Sequence, residues 1–328
     1  MKDSLLEKRN QTLLCFLENQ KAYFYASEWA KTTLPGQRFF QRFATRIKIF
    51  GPRYLLSALI HYVTIAFPKL GRIKVRSKTF WGKNVTIELR AAEAFRLLFG
   101  GAPGAEPEVR LTYFLLRTLT DRDVFYDVGA NIGYYSMLAA EIGAEVHAFE
   151  PVPSTFSILK ANLEEYGSRV FSTNSALCET DGVITIYLPP DWYLTSTIIE
   201  ETLERIGTTL TVPALQLDTY VESLNHRPPT IIKIDVEGAE SLVLAGGKSV
   251  IENFRPIVVI EVCPGQRGKE LSVPAAEFLL QRGYRMHRLD AEGIPQAISD
   301  PASDYIPRLE GEFENLVFLH HSTKSNMV

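Results

Sequence analysis

The segment DVFYDVGANIGYYSMLAA, residues 123–140, constrains the fold more than any other part of the chain. A short apolar strand runs into a turn that contains Gly129 and Gly133, and an apolar helix follows. Glycine permits a tight turn and a close approach of a ligand to the backbone, and the first turn of a helix offers unpaired N–H groups. This order predicts a ligand-binding loop at the carboxyl edge of an open α/β sheet.

Short apolar strands alternate with helices from residue 111 onwards. The predicted strands are 124–128, 145–149, 170–174, 231–235, 257–262, 284–288 and 316–319, and the predicted helices are 134–142, 155–166, 238–246 and 273–282. Such alternation forms a parallel sheet with right-handed crossovers. We therefore predict a doubly wound α/β domain over residues 106–328, interrupted at 180–212 by a hairpin or irregular insertion.

The first 105 residues have a different character. A rough helical stripe covers residues 1–30, a strand-like stretch covers 73–89, and a Gly/Pro-rich linker at 100–107 leads into the main domain. We predict a helical N-terminal extension with a short β segment, which could cap the main domain. The apolar run 54–67 is too short to cross a bilayer, which requires about 20 apolar residues.

Composition and cysteine placement narrow the class of protein. The chain is 46% hydrophobic and 22% charged, as in soluble globular proteins. Cys15, Cys178 and Cys263 lie far apart and form no C-x-x-C pair, which argues against a disulfide framework or structural zinc. The charged start MKDSLLEKRNQ lacks the apolar run of a signal peptide. A cytoplasmic location is the expectation.

One acidic residue narrows the choice of ligand for the glycine loop. Glu150 lies 21 residues after Gly129, where a carboxylate can accept both hydroxyls of a ribose. Dinucleotide enzymes use G-x-G-x-x-G so that a pyrophosphate can lie against bare backbone, and this chain has Asn131 at the second glycine position. The spacing suits a nucleoside ligand without phosphate, such as S-adenosylmethionine. A nicotinamide-dependent oxidoreductase stays the alternative.

Five segments follow one another in order along the main domain: DVGANIGYYS (127–136), AFEPVPSTFSILKANL (148–163), LDTYVES (217–223), IIKIDVEGAESLVLAGG (231–247) and RPIVVIEV (255–262). With these segments the chain resembles the FkbM family of S-adenosylmethionine-dependent methyltransferases. The resemblance implies the class I methyltransferase (Rossmann-like) fold, with about seven strands and an antiparallel last strand. It also implies O-methylation of a glycan, glycolipid or small metabolite. A non-catalytic S-adenosylmethionine-binding module is a further alternative, against which the intact loop and the KIDVEGAE block argue.

The resemblance also assigns the cofactor site. The assigned residues are Asp127, Gly129, Ala130, Asn131 and Gly133 in the methionine-side loop, Glu150 and Pro151 at the ribose, Ala176 near the adenine and Asp235 beside the sulfonium. The carboxylate of Asp127 can approach the amino group of the donor, and the loop amides can approach its carboxylate.

Candidate catalytic residues lie at the predicted strand ends. Methyl transfer to a hydroxyl needs an aligned acceptor and a base for its proton. Asp235, Glu237 and Glu261 are the available acids, and Asp235 is the first choice for orienting or deprotonating the acceptor. Lys233 points to the same side of its strand as Asp235, so it could pair with a carboxylate or orient the acceptor. Glu237 could instead be structural, because an acid at a helix N-terminus is stabilising without catalysis.

Two alternatives concern these acids. They could hold a divalent metal, since magnesium prefers hard oxygen ligands, but the sequence has no dedicated metal motif and we predict none. A histidine could be the base instead. His287 is near the end of the sixth predicted strand, His320 and His321 follow the seventh, and His147, inside the second, is expected to be a core residue.

Charge is distributed unevenly along the chain. Residues 31–80 contain eleven Lys/Arg and no Asp/Glu, whereas residues 81–328 contain 20 basic and 34 acidic residues. The basic segment could dock on the acidic remainder or make peripheral contact with an anionic membrane, because Lys and Arg are attracted to anionic lipids. No nucleic-acid recognition motif accompanies it, so no nucleic-acid partner is expected. The oligomeric state is not predicted.

Overall fold

The structure is a computed structural model that describes residues 73–89, 97–98, 101–103, 106–188, 207–223, 226–262, 265–309 and 313–323. These residues fall into two units, which divide between Val109 and Arg110. The helix predicted over 1–30, the apolar run 54–67 and most of the basic segment 31–80 lie outside the described residues. These features, the membrane contact of the basic segment and the domain boundary at residue 106 stay predictions.

The described part of the first unit contains an antiparallel β-hairpin. Strand β1 (Lys74–Lys78) pairs with β2 (Asn84–Glu88). The N–H of Thr79 donates to the carbonyl of Lys83 at 2.8 Å, and Gly82 in the turn has a φ of 89°. The strand-like stretch predicted over 73–89 is therefore confirmed.

The second unit is built on one large sheet and one small sheet. Its strands are β3 (Val124–Val128), β4 (Glu145–Phe149), β5 (Val170–Thr173), β6 (Ala176–Leu177), β7 (Gly182–Leu188), β8 (Thr208–Leu215), β9 (Ile231–Ile234), β10 (Ile257–Val262), β11 (Tyr284–Leu289), β12 (Pro295–Ala297) and β13 (Glu314–His320). The large sheet has eight strands in the order β12-β11-β13-β10-β9-β3-β4-β5, and the small one has the order β6-β8-β7.

The large sheet is mixed. Strands β5, β4, β3, β9 and β10 pair in parallel, whereas β13 lies antiparallel between β10 and β11. The predicted doubly wound sheet with an antiparallel last strand is confirmed. The strand number is eight instead of about seven because Pro295–Ala297 adds a short edge strand. Proline is tolerated at an edge, where its missing N–H costs no ladder hydrogen bond.

Helices cover both faces of the sheet. The described α-helices are α1 (Glu106–Thr118), α2 (Tyr134–Ile142), α3 (Pro153–Leu163), α4 (Leu217–Ser223), α5 (Glu240–Gly246), α6 (Lys248–Phe254), α7 (Gly265–Leu280) and α8 (Ala302–Tyr305). The sequence predicted α2 with its observed bounds and missed α1, α4, α6 and α8. Helix α7 begins at Gly265 and continues through Pro274, although proline favours the first turn of a helix. In the described residues, no helix is long and apolar enough to cross a membrane.

The small sheet confirms the hairpin predicted for the insertion. Strands β7 and β8 are antiparallel, from Gly182 opposite Ala214 to Leu188 opposite Thr208. The side chains of Val152, Ala176, Ile186, Leu188 and Val212 form its apolar core. Residues 189–206, which connect β7 to β8, lie outside the described residues.

The central strands are buried on both faces. Every residue of β3 and β9 is buried, as expected for parallel strands that helices cover on both sides. Asp127 is the charged residue of β3 and Lys233 that of β9. Charged groups are rarely fully buried without a partner, so these two side chains mark the site.

Candidate active site

The glycine loop crosses the carboxyl edge of the sheet between β4 and β9. The N–H groups of Gly129 and Ala130 donate to the carbonyl of Phe149 at 3.0 and 2.9 Å. Gly129 has a φ of 78°, and a Cβ at this position would lie 1.8 Å from the carbonyl oxygen of Asp235. The loop therefore requires glycine for both its conformation and its close contact with the end of β9.

Two further loop residues also have backbone angles in the left-handed region. Asn131 has a φ of 54°, and Gly133 has a φ of 90° as the residue that precedes α2. A Cβ at Gly133 would lie 2.5 Å from Cδ1 of Leu159. The absence of a side chain thus lets the start of α2 pack against α3.

Glu150 is tied to the loop by both of its carboxylate oxygens. Oε2 accepts from the N–H of Asn131 at 3.0 Å, and Oε1 accepts from the N–H of Val152 at 2.9 Å. The residue is buried, with 5% exposure. Burial raises the pKa of Glu150 to about 7, although the two N–H groups oppose the rise. The residue expected at the ribose is therefore also the group that orders the loop.

The connection after Glu150 is held by a residue that the sequence analysis missed. Asn174, directly after β5, donates through Nδ2 to the carbonyls of Glu150 and Pro151 at 2.8 and 3.0 Å. Ala176 lies in β6 and contributes to the apolar core of the small sheet. The backbone of Glu150, assigned to the ribose region, is therefore held in place by Asn174. Ala176, assigned to the adenine region, lies at an apolar surface.

Asp127 is buried at the start of the loop, with 1% exposure. Its Oδ2 accepts from Oγ of Ser136 at 2.6 Å, a contact that the sequence analysis missed. Its Oδ1 has no hydrogen-bond partner in the part of the chain that the structure describes. Burial raises the pKa of Asp127, while the positive charge of Lys233 and the Ser136 hydroxyl oppose the rise. A buried acceptor without a donor is costly, so Oδ1 suits a ligand that carries a hydrogen-bond donor.

The strand register places the polar side chains on one face of the sheet. Asp127 is opposite Lys233, and Lys233 is opposite Val259. Because side chains alternate along a strand, Asp235 and Glu261 lie on this same face, one step nearer the carboxyl edge. The N–H of Asp235 donates to the carbonyl of Val128 at 3.0 Å and so extends the ladder beyond β9.

Three acids converge at this edge. Asp235, Glu237 and Glu261 offer carboxylate oxygens that all lie within 4.8 Å of one another. The structure thus brings together the acids that the sequence analysis proposed, although they come from two different strand ends. We call these three residues the acidic cluster.

Lys233 supplies a positive charge to the cluster. Its Nζ lies 2.8 Å from Oδ2 of Asp235, and 5.1 Å from the ring centroid of Tyr135. The predicted pairing of Lys233 with a carboxylate is present in the structure. Burial favours the neutral form of Asp235, but Lys233 and a hydrogen bond with Glu261 outweigh it and lower the pKa of Asp235.

The turn between β9 and α5 carries Glu237 of the acidic cluster and leads into Glu240. Glu237 has a φ of 55°, which is rare for a residue other than glycine. Burial, together with the charges of Asp235 and Glu240, raises the pKa of Glu237 to about 8. Glu240 is fully buried and accepts from the N–H of Gly238 through Oε1 at 3.0 Å. Glu240 therefore stabilises the turn that carries Glu237.

The histidines that the sequence analysis weighed as bases lie elsewhere. His320 ends β13 and is opposite Tyr284, the first residue of β11. Because β13 is antiparallel, His320 and His321 lie at the amino edge of the sheet, away from the acidic cluster. His287 is opposite Val317 in the middle of its strand. His147 is fully buried in β4, where it contacts the hydroxyl of Tyr220 at 2.9 Å, and is a core residue as expected.

Comparison with known proteins points to one family. The model of the methyltransferase FkbM domain matches residues 127–286. The chain is 30% identical over 208 residues to the 31-O-demethyl-FK506 methyltransferase FkbM of Streptomyces tacrolimicus, covering 52% of this chain and 80% of that protein. It is 29% identical over 179 residues to the hexuronic acid methyltransferase AglP of Haloferax volcanii, covering 54% of this chain and 70% of that protein.

A solved structure carries the same family name. The crystal structure of methyltransferase FkbM from Methylobacillus flagellatus aligns with a TM-score of 0.41 at 18% identity. The alignment covers 69% of this chain and 52% of that chain, so the match spans about half of the solved protein.

Proposed function

Because this chain belongs to the FkbM methyltransferase family, we propose that it transfers the methyl group of S-adenosylmethionine to a hydroxyl oxygen of a glycan or other small metabolite. The chain is a methyltransferase.

The observation that carries the choice of donor is the pair of buried carboxylates beside the glycine loop. Each oxygen of Glu150 accepts one backbone N–H and retains acceptor capacity for a ribose hydroxyl. Oδ1 of Asp127 has no partner among the described residues, and an ammonium group would supply a charge-assisted hydrogen bond. S-adenosylmethionine carries both a ribose diol and an ammonium group.

Asp127 disfavours the nicotinamide alternative. A pyrophosphate bound at this loop would lie near the carboxylate of Asp127, and like charges at short distance repel strongly in a buried site. Asn131 adds a side chain at the position where a dinucleotide loop has its second glycine.

The acidic cluster and Lys233 are proposed to act at the acceptor end. Lys233 holds Asp235 in its ionised form through their 2.8 Å contact, so that Asp235 can accept a hydrogen bond from the acceptor hydroxyl. The hydroxyl oxygen attacks the methyl carbon in line with the carbon–sulfur bond. That bond breaks, its electron pair stays on sulfur in S-adenosylhomocysteine, and the hydroxyl proton passes to a carboxylate of the cluster.

The names of the relatives support an oxygen acceptor. One relative is named for an O-demethyl compound and another for a hexuronic acid. Either kind of acceptor offers a hydroxyl that the acidic cluster could orient. The acceptor class proposed for this chain is therefore a hydroxyl-bearing glycan or small molecule.

Calorimetric titration tests the donor directly. The purified chain is titrated with S-adenosylmethionine and, separately, with NAD, and both titrations are repeated with Glu150→Gln. Glu164→Gln is the matched control, because Glu164 is an exposed glutamate at the end of α3. We expect the parent and the control to bind S-adenosylmethionine and Glu150→Gln to bind it more weakly. Binding of NAD in place of S-adenosylmethionine would overturn the proposal.

A further inference from the structure

The acidic cluster has an uneven charge balance at the mouth of the site. Asp235, Glu237 and Glu261 carry three carboxylates within 4.8 Å of one another. Lys233 contributes one positive charge through its contact with Asp235. The cluster therefore has more acidic groups than basic ones, and carboxylate oxygens are ligands that a divalent cation prefers.

A fourth residue, outside the family segments of the sequence, lies beside one member of this cluster. Asn315 in β13 is directly opposite Glu261 in β10. Directly opposed residues of an antiparallel pair project from the same face, with Cβ atoms about 4.5–5.5 Å apart. The Asn315 side chain therefore lies beside that of Glu261, at the carboxyl edge of the sheet.

The amide of Asn315 is buried and unsatisfied. The residue is 1% exposed, and neither Oδ1 nor Nδ2 has a hydrogen-bond partner among the residues that the structure describes. Leaving a buried amide without a hydrogen-bond partner is costly. Such a side chain beside Glu261 suits a ligand that its amide oxygen can contact.

We propose that Asp235, Glu237, Glu261 and Asn315 form a binding site for a divalent cation of the Mg²⁺ or Mn²⁺ class. Carboxylate and amide oxygens are the ligands that these hard cations prefer, and histidine or cysteine ligands, which favour zinc, are not part of the set. The proposal departs from the sequence-based expectation of no metal, because that expectation rested on linear motifs. The ligands come from β9, β10 and β13, which only the folded sheet brings together.

What the cation does depends on the proposed function. A cation at the acidic cluster would contact the acceptor hydroxyl, lower its pKa and orient its oxygen towards the methyl group. The proton released from the hydroxyl would pass to solvent or to a cluster carboxylate, and the methyl group would still come from the sulfonium. Cation binding alone does not depend on the donor, so it can be tested without it.

The test is a titration of the full chain, freed of metal with a chelator, with Mn²⁺ followed by electron paramagnetic resonance. We expect about one tightly bound ion per chain, competition by Mg²⁺, and at least tenfold weaker binding in Glu261→Gln. Asn315→Ala is expected to weaken binding several-fold. Glu252→Gln is the matched control. Glu252 lies on α6, is paired with Arg282 and is outside the acidic cluster.

Circular dichroism on each variant separates lost binding from lost folding. Asn315→Ala removes an unsatisfied amide, so it is expected to fold with a melting temperature close to that of the parent. A folded parent that binds no Mn²⁺ at 1 mM would overturn the proposal, and so would binding that Glu261→Gln and Asn315→Ala both leave unchanged. Failure of S-adenosylmethionine binding in the separate calorimetric titration would instead contradict the proposed function and leave the cation result intact.

Discussion

The ammonium group of Lys233 lies 2.8 Å from Oδ2 of Asp235, two residues further along the chain. Lys233 is 3% exposed, so its charge is held inside the protein and acts at short range. Removing one partner of such a partly desolvated ion pair strongly destabilises the folded protein, because the other charge is left uncompensated. The pair therefore links the interior of β9 to the acidic cluster at the mouth of the site.

Replacing Lys233 tests this link. We expect Lys233→Met to lower kcat/KM by about 100-fold or more, comparable to removal of one preorganised electrostatic group from an active site. The acidic limb of the rate profile should also move to higher pH, because Asp235 loses the charge that lowers its pKa. Lys248→Met, at an exposed lysine that begins α6, is the control. A Lys233→Met enzyme with the parent's pH profile would contradict the proposed role.

Donor affinity is expected to depend on pH through Glu150. Burial raises the pKa of Glu150 to about 7 in the ligand-free protein, and the ionised form is the better acceptor for ribose hydroxyls. Affinity for S-adenosylmethionine should therefore rise about tenfold between pH 6 and pH 8, as the ionised fraction rises. Calorimetry at several pH values measures this. Glu150→Gln should lose most of the dependence, and an unchanged dependence in that variant would assign it to another group.

The close contact of Gly129 with Asp235 predicts a large cost for a side chain. Gly129 and Gly167 have similar φ values of 78° and 75°, but a Cβ lies 1.8 Å from the carbonyl oxygen of Asp235 at Gly129 and has nothing within 4 Å at Gly167. Gly167→Ala should cost about 1–3 kcal/mol from backbone strain alone. Gly129→Ala should cost several kcal/mol more in denaturant unfolding, with loss of donor binding. Equal costs for the two variants would show that the loop can move away from β9.

His147 is expected to make the protein less stable in acid. Burial is the main cause that lowers the pKa of His147 to about 4, and the charges of His226 and Arg227 act in the same direction. The hydrogen bond between His147 and Glu145 opposes the shift, and the Tyr220 hydroxyl contacts the other ring nitrogen.

In the unfolded chain the pKa of His147 is near 6.5, which is well above its value of about 4 in the folded protein. The stability that neutral His147 contributes is therefore complete above pH 6.5 and is lost as the pH falls towards 4, by about 2 kcal/mol between pH 7 and pH 5. His147→Gln should show a smaller fall in the free energy of unfolding over this interval. His321→Gln, at an exposed histidine, should keep the parent's slope, and equal slopes in all three proteins would contradict the assignment.

Local sequence patterns were enough for the central strands and the loop. The bounds of β3, β4, β10 and α2 agree with the sequence prediction. Buried parallel strands are short apolar runs, and glycines mark the turn between β3 and α2. The missed elements include the edge strand β12, which has three residues, and α8, which has four. Short edge elements carry little periodicity, so packing against neighbours decides whether they form.

The sequence showed which acidic residues could form the site, but not which side chains lie beside them in the fold. KIDVEGAE identified Lys233, Asp235 and Glu237, since they are close together in the chain. Ser136, Asn174 and Asn315 were missed because no local pattern links them to Asp127, Glu150 and Glu261, their respective neighbours in the fold.

The order of strands, helices and glycines along the chain was enough to establish the α/β class, the carboxyl edge as the ligand side and the identity of the principal carboxylates. These features follow from periodicity and backbone conformation, which act over a few residues. The acidic cluster, the burial that shifts the pKa of Glu150, and the place of Asn315 beside Glu261 follow from strand order and register. Because β13 inserts antiparallel between β10 and β11, residues 54 positions apart in the chain become direct neighbours, and only the folded sheet brings about that contact.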